Sequence, residues 1–475
     1  MRANGGGGRP RVSLWMAAWF LVYYVFLLPS CYMACGYLQI ILGPRLWLSW
    51  RVFWPSTWGR PGPHSRTGRV NQQIDDWRPH GLLNFSPRRS RGQAASPQPT
   101  GSPSHPADTA TLEEDKLAAL ADRLEGGVFG ALVGDALALG AHYEYDSTKI
   151  WRAYGGKPIE RLEGPGERFG GKVRTPGWKS GEAVNFHPTK HAGDLTDYGD
   201  NAIMLIESLA ENAGAWRPTG FAQHWKKRHA AYSGYRTMAT RHTYSNLLKG
   251  AQGVSAASDI DDMGGATRAV GLILSARNES EVVEQAREAC QLTHRHPLSV
   301  MAAEFLLLTA YRVAWRNESP VDAINHAADI LDVEPLNNMI QLAARKAREA
   351  LDAGTALSQL GKLTDDVALT SMLEEEWAAG SEAWQGGKAS PVVGALPGAI
   401  YFVIKYGSLS EALPANAMVG GDSSARAIPI GLILGAHEGR RGVPRAWLEA
   451  LNERERVDAL LKKVRRGYPA QYNPK

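Results

Sequence analysis

From Thr111 onward the chain keeps repeating one pattern: Ala- and Leu-rich runs with apolar residues at i, i+3, i+4 and i+7. Thr111 and Glu114 have the spacing of a capping box, and Leu117, Leu120, Leu124 and Val128 continue the period. Further helices are expected at 199–212, 221–233, 265–277, 279–292, 297–315, 321–331, 336–352, 392–405, 425–436 and 445–466. Gly214, Pro297, Pro320 and Gly354 stand where helices start or stop. Alternating strand patterns are scarce, and no fixed-period repeat is present. The prediction is an all-α fold, one large domain over 108–475. Its Gly- and Pro-rich interval 151–195 reads as a long irregular loop, of the kind that is usually functional.

The first 107 residues are of a different kind. They hold twelve Arg, no Lys and only two acids, Asp75 and Asp76, so they carry +12 − 2 = +10 of the chain's formal +5. The remainder is therefore −5, and the basic balance belongs to the leader. No basic-aromatic surface pattern recurs downstream, so no nucleic-acid partner is expected. Ser13 to Pro44 contains no charge and is dominated by Trp, Phe, Tyr, Leu and Val. That is long enough to cross a bilayer, which takes roughly 20 apolar residues as a helix. Residues 1–55 thus read either as a single-pass signal-anchor on a membrane or as an organelle-targeting leader that is cleaved. Residues 56–107, rich in Arg, Ser and Pro, read as a disordered linker. Of the three cysteines only Cys290 falls in the helical part, which excludes an internal disulfide there and any zinc site of Cys₄ or Cys₂His₂ type.

Chemistry concentrates at two points. Ala192-Gly-Asp-Leu-Thr-Asp-Tyr-Gly-Asp-Asn201 and Gly420-Gly-Asp-Ser-Ser-Ala425 each put small oxygen-bearing side chains just before an apolar helical run. Capping and the helix dipole select such residues at any helix start. The clustering asks for more: Asp197 and Asp200 lie one helical turn apart, and Gly193, Gly199, Gly420 and Gly421 let backbone come close to a ligand. Two helix mouths facing one another would gather carboxylates and hydroxyls where a hard cation or a sugar can sit. Asp135, closing Gly130-Ala-Leu-Val-Gly-Asp135, and Glu144 add a third acidic source, and His187 and His191 flank Pro188-Thr-Lys190 just before the first cluster.

Taken in order, these elements resemble the ADP-ribosylglycohydrolase family. Leu124-Glu-Gly-Gly-Val-Phe-Gly-Ala-Leu-Val-Gly-Asp-Ala-Leu137 is similar to its opening helix, and Thr196-Asp197-Tyr198 stands where the family has Thr-Asp-Asp. Asp262-Met-Gly-Gly-Ala-Thr-Arg268 resembles its glycine-rich turn and Leu292-Thr-His-Arg-His-Pro297 its Thr-His element. Gly420-Gly-Asp-Ser-Ser-Ala425 occupies the place of Gly-Gly-Asp-Thr-Asp-Thr.

The resemblance implies an all-α fold whose cleft holds magnesium and cleaves the glycosidic bond joining ADP-ribose C1″ to a protein side chain. Carried over by position, Thr196, Asp197, Asp422 and Ser424 are the metal ligands, and Glu144, Asp197 and Asp200 do the acid–base work. Gly264, Gly265 and Ala266 offer amides to the diphosphate, with His294, Ser423 and Arg426 beside the substrate. The departures fall on the metals. Tyr198 replaces the second Asp of one cluster, Ser424 the second Asp of the other, and Ala425 its Thr; Glu144 also sits two residues late. A hydroxyl is a neutral, poorer donor to Mg²⁺ than a carboxylate. One ion is therefore expected rather than two, with a metal-free site as the remaining case. The functional expectation is a glycohydrolase acting on ADP-ribosylated protein or a related ADP-ribose conjugate. Its rival is an inactive relative that binds ADP-ribose or a nucleotide sugar.

Overall fold

A computed structural model describes residues 106–175, 182–352 and 390–465 of the 475-residue chain. The candidate anchor and the linker, residues 1–55 and most of 56–107, lie outside the described residues. The helices are α1 Pro106–Ala138, α2 Ser147–Ala153, α3 Asp197–Glu211, α4 Pro218–Ala230, α5 Met238–Leu248, α6 Gly264–Arg268, α7 Glu279–Gln291 and α8 Pro297–Arg316. They continue with α9 Pro320–Leu331, α10 Glu334–Asp352, α11 Val392–Tyr406, α12 Leu409–Val419, α13 Ser423–Glu438, α14 Arg445–Ala450 and α15 Arg454–Arg465. Among the described residues there is no strand, only the isolated bridges Val173–Val184 and Ser258–His294. The fold is all-α, as the periodicity requires.

Several boundaries moved for identifiable reasons. α1 begins at Pro106, five residues before Thr111; a proline suits a first helical turn because its missing N–H has no partner there anyway. The run at 265–277 divides into α6 and a 3₁₀ segment, Ala269–Leu274. The run at 445–466 breaks at Leu451–Glu453, where Asn452 leaves the helix to donate to the carbonyls of Gly193 (3.0 Å) and Ala192 (3.0 Å). Helices α2, α5 and α12 are additions to the expected set. Pro414 lies inside α12 and masks it in the sequence, while α5 is too polar to show an apolar stripe.

One continuous apolar core runs from Leu124 to Val464. Its axis is the antiparallel crossing of α1 and α13. The two backbones approach so closely that a Cβ on Gly126 or Gly130 would run into the carbonyl of Gly435 or Gly431. Residues 124–142 of the chain are buried throughout, with no polar stripe, which is how a central core helix reads. The apolar parts of α1 and α8 are long enough to cross a membrane by length and composition, yet both lie mostly inside this core.

The crossing positions the site. The C-terminal end of α1 delivers Asp135 and, after one 3₁₀ turn, His142, Tyr143 and Glu144. The N-termini of α3 and α13 arrive at the same place.

Candidate active site

Each helix mouth is built by local capping. Thr196 is the N-cap of α3 and its hydroxyl accepts from Tyr198 N at 3.2 Å. Asp422 is the N-cap of α13 and accepts from Ala425 N at 3.2 Å. Gly420 and Gly421 precede it with φ of 78° and 67°, a conformation that favours glycine. Gly421 exchanges two backbone hydrogen bonds with the segment after α1: its N donates to Glu144 O (2.7 Å), and its O accepts from Tyr143 N (2.8 Å).

The two mouths converge. The Tyr198 hydroxyl, in the first turn of α3, donates to Asp422 Oδ2 at 2.8 Å. His142 Nε2 lies 3.1 Å from Asp422 Oδ1. The other ring nitrogen, Nδ1, lies 3.4 Å from the Ser424 hydroxyl, so the ring links that hydroxyl to the carboxylate. Beside them, Thr196 donates to Asp135 twice, from N to Oδ2 (2.7 Å) and from its hydroxyl to Oδ1 (2.6 Å). Thr196, Asp135 and Asp422 are fully buried, and Asp197 is 2% exposed.

Burial sets the electrostatics. Asp135 is pushed up to about 6, against the pull of the Thr196 hydrogen bonds. Asp197 is raised well above the ordinary aspartate value, first by desolvation and then by the Asp422 charge. Its Oδ1 and the Ser423 hydroxyl are buried and without a hydrogen-bond partner among the described residues, as are both ring nitrogens of His187. Burial and the nearby His142 hold His187 well below the usual histidine value, hence neutral. His187 stacks on His142 with ring centroids 5.2 Å apart, and Tyr143 stacks on the same ring at 3.9 Å. Tyr143 has φ of 66°, a strained value for a tyrosine. With Phe186 and Tyr235 these rings form one aromatic cluster packed beside His142.

The other expected residues lie as follows. Asp200 turns from Asp422 to Lys190 Nζ (2.6 Å) and the Tyr232 hydroxyl (2.6 Å), in a small cavity of about 170 Å³. Glu144 is buried and already spent: it pairs with Lys149 and accepts from Asp146 N (3.1 Å) and Arg174 N (3.4 Å). Arg426 donates to Asn416 Oδ1 (2.8 Å) and Gly420 O (2.6 Å), fixing the glycine turn from below. In the other loop, Gly264 N donates to Asp262 Oδ1 (2.8 Å), whose other neighbour is His294 Nε2 at 2.7 Å. Burial pushes Asp262 up, yet His294 beside it brings it below the usual carboxylate value. A Cβ at Gly265 would strike the Cys290 sulfur, and Ala266 is fully buried, so packing alone accounts for the small residues of this turn.

A second cavity, of about 370 Å³, is lined by Glu207, Glu211, His224 and Arg228; its acids are already paired with His224, Arg228 and Arg456. His142 is the group the sequence left without a role; only its contact with Asp422 marks it, whereas Tyr198 was already marked as standing where the family has an Asp.

Magnesium, the ion the resemblance implies, needs six hard oxygens at about 2.0–2.1 Å. Here Asp422 receives three hydrogen bonds and the Thr196 hydroxyl is turned to Asp135, which leaves Asp197 Oδ1 and the neutral Ser423 hydroxyl unengaged. No group of three or more His, Cys, Asp or Glu side chains among the described residues is arranged to hold a metal. This donor set does not fit the ion.

Residues 116–474 match the ADP-ribosylglycohydrolase family model, and the chain belongs to that family, whose members are hydrolases. A solved chain described as an ADP-ribosylglycohydrolase-related protein complex is similar to it at 20% identity, covering 74% of this chain and 99% of its own, with a TM-score of 0.48. Among curated proteins, none matches the chain.

Proposed function

We propose that this protein hydrolyses the glycosidic bond between ribose C1″ and a linked group in an ADP-ribosylated protein or a related ADP-ribose conjugate. The observation that carries the reading is the convergence of the two helix starts that carry Asp197 and Asp422: Tyr198, next to Asp197, bonds Asp422, and the Asp422 charge acts on the buried Asp197. Environment separates the two carboxyls: desolvation raises Asp197, which tends to hold its proton, while Asp422 is engaged by three hydrogen bonds.

Bond cleavage leaves positive charge on the ribose ring and negative charge on the leaving atom. The C1″–X bond breaks with its electrons passing to X, and Asp197 supplies the proton that neutralises X. Asp422 stabilises the ring cation. Water then adds to C1″, and the proton it sheds returns to Asp197, which restores the site. Glu144, spent on Lys149 and two amides, holds the 142–146 segment against Gly421 instead of exchanging protons. The uncharged stretch Ser13–Pro44 supports a membrane-held or targeted protein, with the hydrolytic domain carried behind it.

A second reading has one observation of its own. Tyr143, Phe186, His187 and Tyr235 pack into an aromatic cluster beside His142, which would suit an inactive relative that keeps the fold and at most binds ADP-ribose.

The test is release of free ADP-ribose from an ADP-ribosylated protein, with Asp197→Asn and Asp422→Asn beside the wild type. The proposal predicts turnover lowered by roughly 10²-fold or more in each variant, the usual range for losing an acid–base group. Binding of ADP-ribose with no release by the wild type would select the second reading.

A further inference from the structure

We propose that this site dispenses with a divalent cation, because Tyr198 and Ser424 engage Asp422 through hydrogen bonds, one directly and one by way of His142. This rests on the glycohydrolase reading only for the location of the site. The two positions where the family pattern has acids are Tyr198 and Ser424. Both lead to the same carboxylate: Tyr198 donates to Oδ2 directly at 2.8 Å, and Ser424 hydrogen-bonds to Nδ1 of His142, whose Nε2 lies 3.1 Å from Oδ1. The Ala425 amide adds a third donor at 3.2 Å.

Two carboxylates that would help to hold a cation are gone, and the surviving Asp422 is held by hydrogen bonds from neighbouring groups. Sterically it leaves no place for an ion on that carboxylate, since the phenol oxygen already sits at hydrogen-bond distance from Oδ2 and its ring is 3% exposed. Thr196 cannot help, because its hydroxyl is committed to Asp135. His142 and Tyr198 are therefore positioning residues: they orient Asp422 and occupy the oxygens a metal would take.

Manganese, which takes the same hard-oxygen sites as magnesium and has an electron paramagnetic signal, tests this on the purified full-length protein. The wild type is expected to leave the free-ion signal undiminished. Its melting temperature should move by less than about 1 °C in about 10 mM MgCl₂, since an ion that does not bind cannot stabilise. The double variant Tyr198→Asp, Ser424→Asp should capture manganese and melt higher in its presence. Tyr198→Phe, which removes one oxygen and keeps the ring, should gain weaker capture and serves if the double variant does not fold. Stoichiometric manganese binding by the wild type would overturn the proposal, and so would failure of both variants to gain any. Neither outcome bears on whether the wild type releases ADP-ribose, so the two readings fail separately.

Discussion

At Asn201 the first turn of α3 is tied to α4: its amide donates to Asp197 O at 2.7 Å, and its Oδ1 accepts from Trp225 Nε1 (2.8 Å) and His229 Nε2 (3.1 Å). His229 is buried, and its Nδ1 has no partner among the described residues. Burial, with the guanidinium of Arg268 nearby, lowers it from 6.5 to about 3. Between those values the unfolded chain binds a proton that the folded one refuses. Stability from this group is complete above pH 6.5 and is lost as pH falls toward about 3, by up to about 5 kcal/mol at 1.36 kcal/mol per pKa unit. His229→Gln, which can still donate to Asn201, is expected to flatten that acid limb in denaturant melts. An unchanged limb would show that other groups govern it. Asp197→Asn carries a complementary expectation. Exchanging a desolvated carboxyl for a neutral amide should leave the melting temperature at pH 8 no lower than wild type, even as turnover is lost.

Among the elements, the α1–α13 crossing bears the most consequence, since it aims both Asp135 and Asp422. Helix propensity alone says Gly130→Ala should stabilise α1 by up to about 1 kcal/mol. Collision of the new Cβ with Gly431 O says the opposite, and overpacking of about 1–3 kcal/mol wins. Chemical denaturation should show a net loss for Gly130→Ala and a gain for the control Gly220→Ala in α4, where the new Cβ meets only ordinary contact. Helix identity was legible wherever an apolar stripe recurred, as in α8, α9 and α10, because burial of a stripe is a local pattern. It was illegible where a partner decided: Asn452 breaks the last helix for the carbonyl of Gly193, and α12 continues through Pro414 because buried neighbours hold it.

For the whole molecule, the same division applies to the site. The two helix mouths could be read from the chain because Thr196 and Asp422 are N-caps, and capping is written in adjacent residues. Their meeting could not, since Tyr198 and Asp422 are separated by 224 positions. The same holds for Asp200 and Glu144, acids whose partners Lys190 and Lys149 commit them elsewhere. The account therefore hangs on the bond from the Tyr198 hydroxyl to Asp422, which a double-mutant cycle measures directly. Tyr198→Phe, Asp422→Asn and their combination are compared by equilibrium unfolding. The account predicts a coupling of about 1.5–3 kcal/mol, as for a buried hydrogen bond to a charged group. Effects that add to within about 0.3 kcal/mol would place the two side chains apart and contradict it.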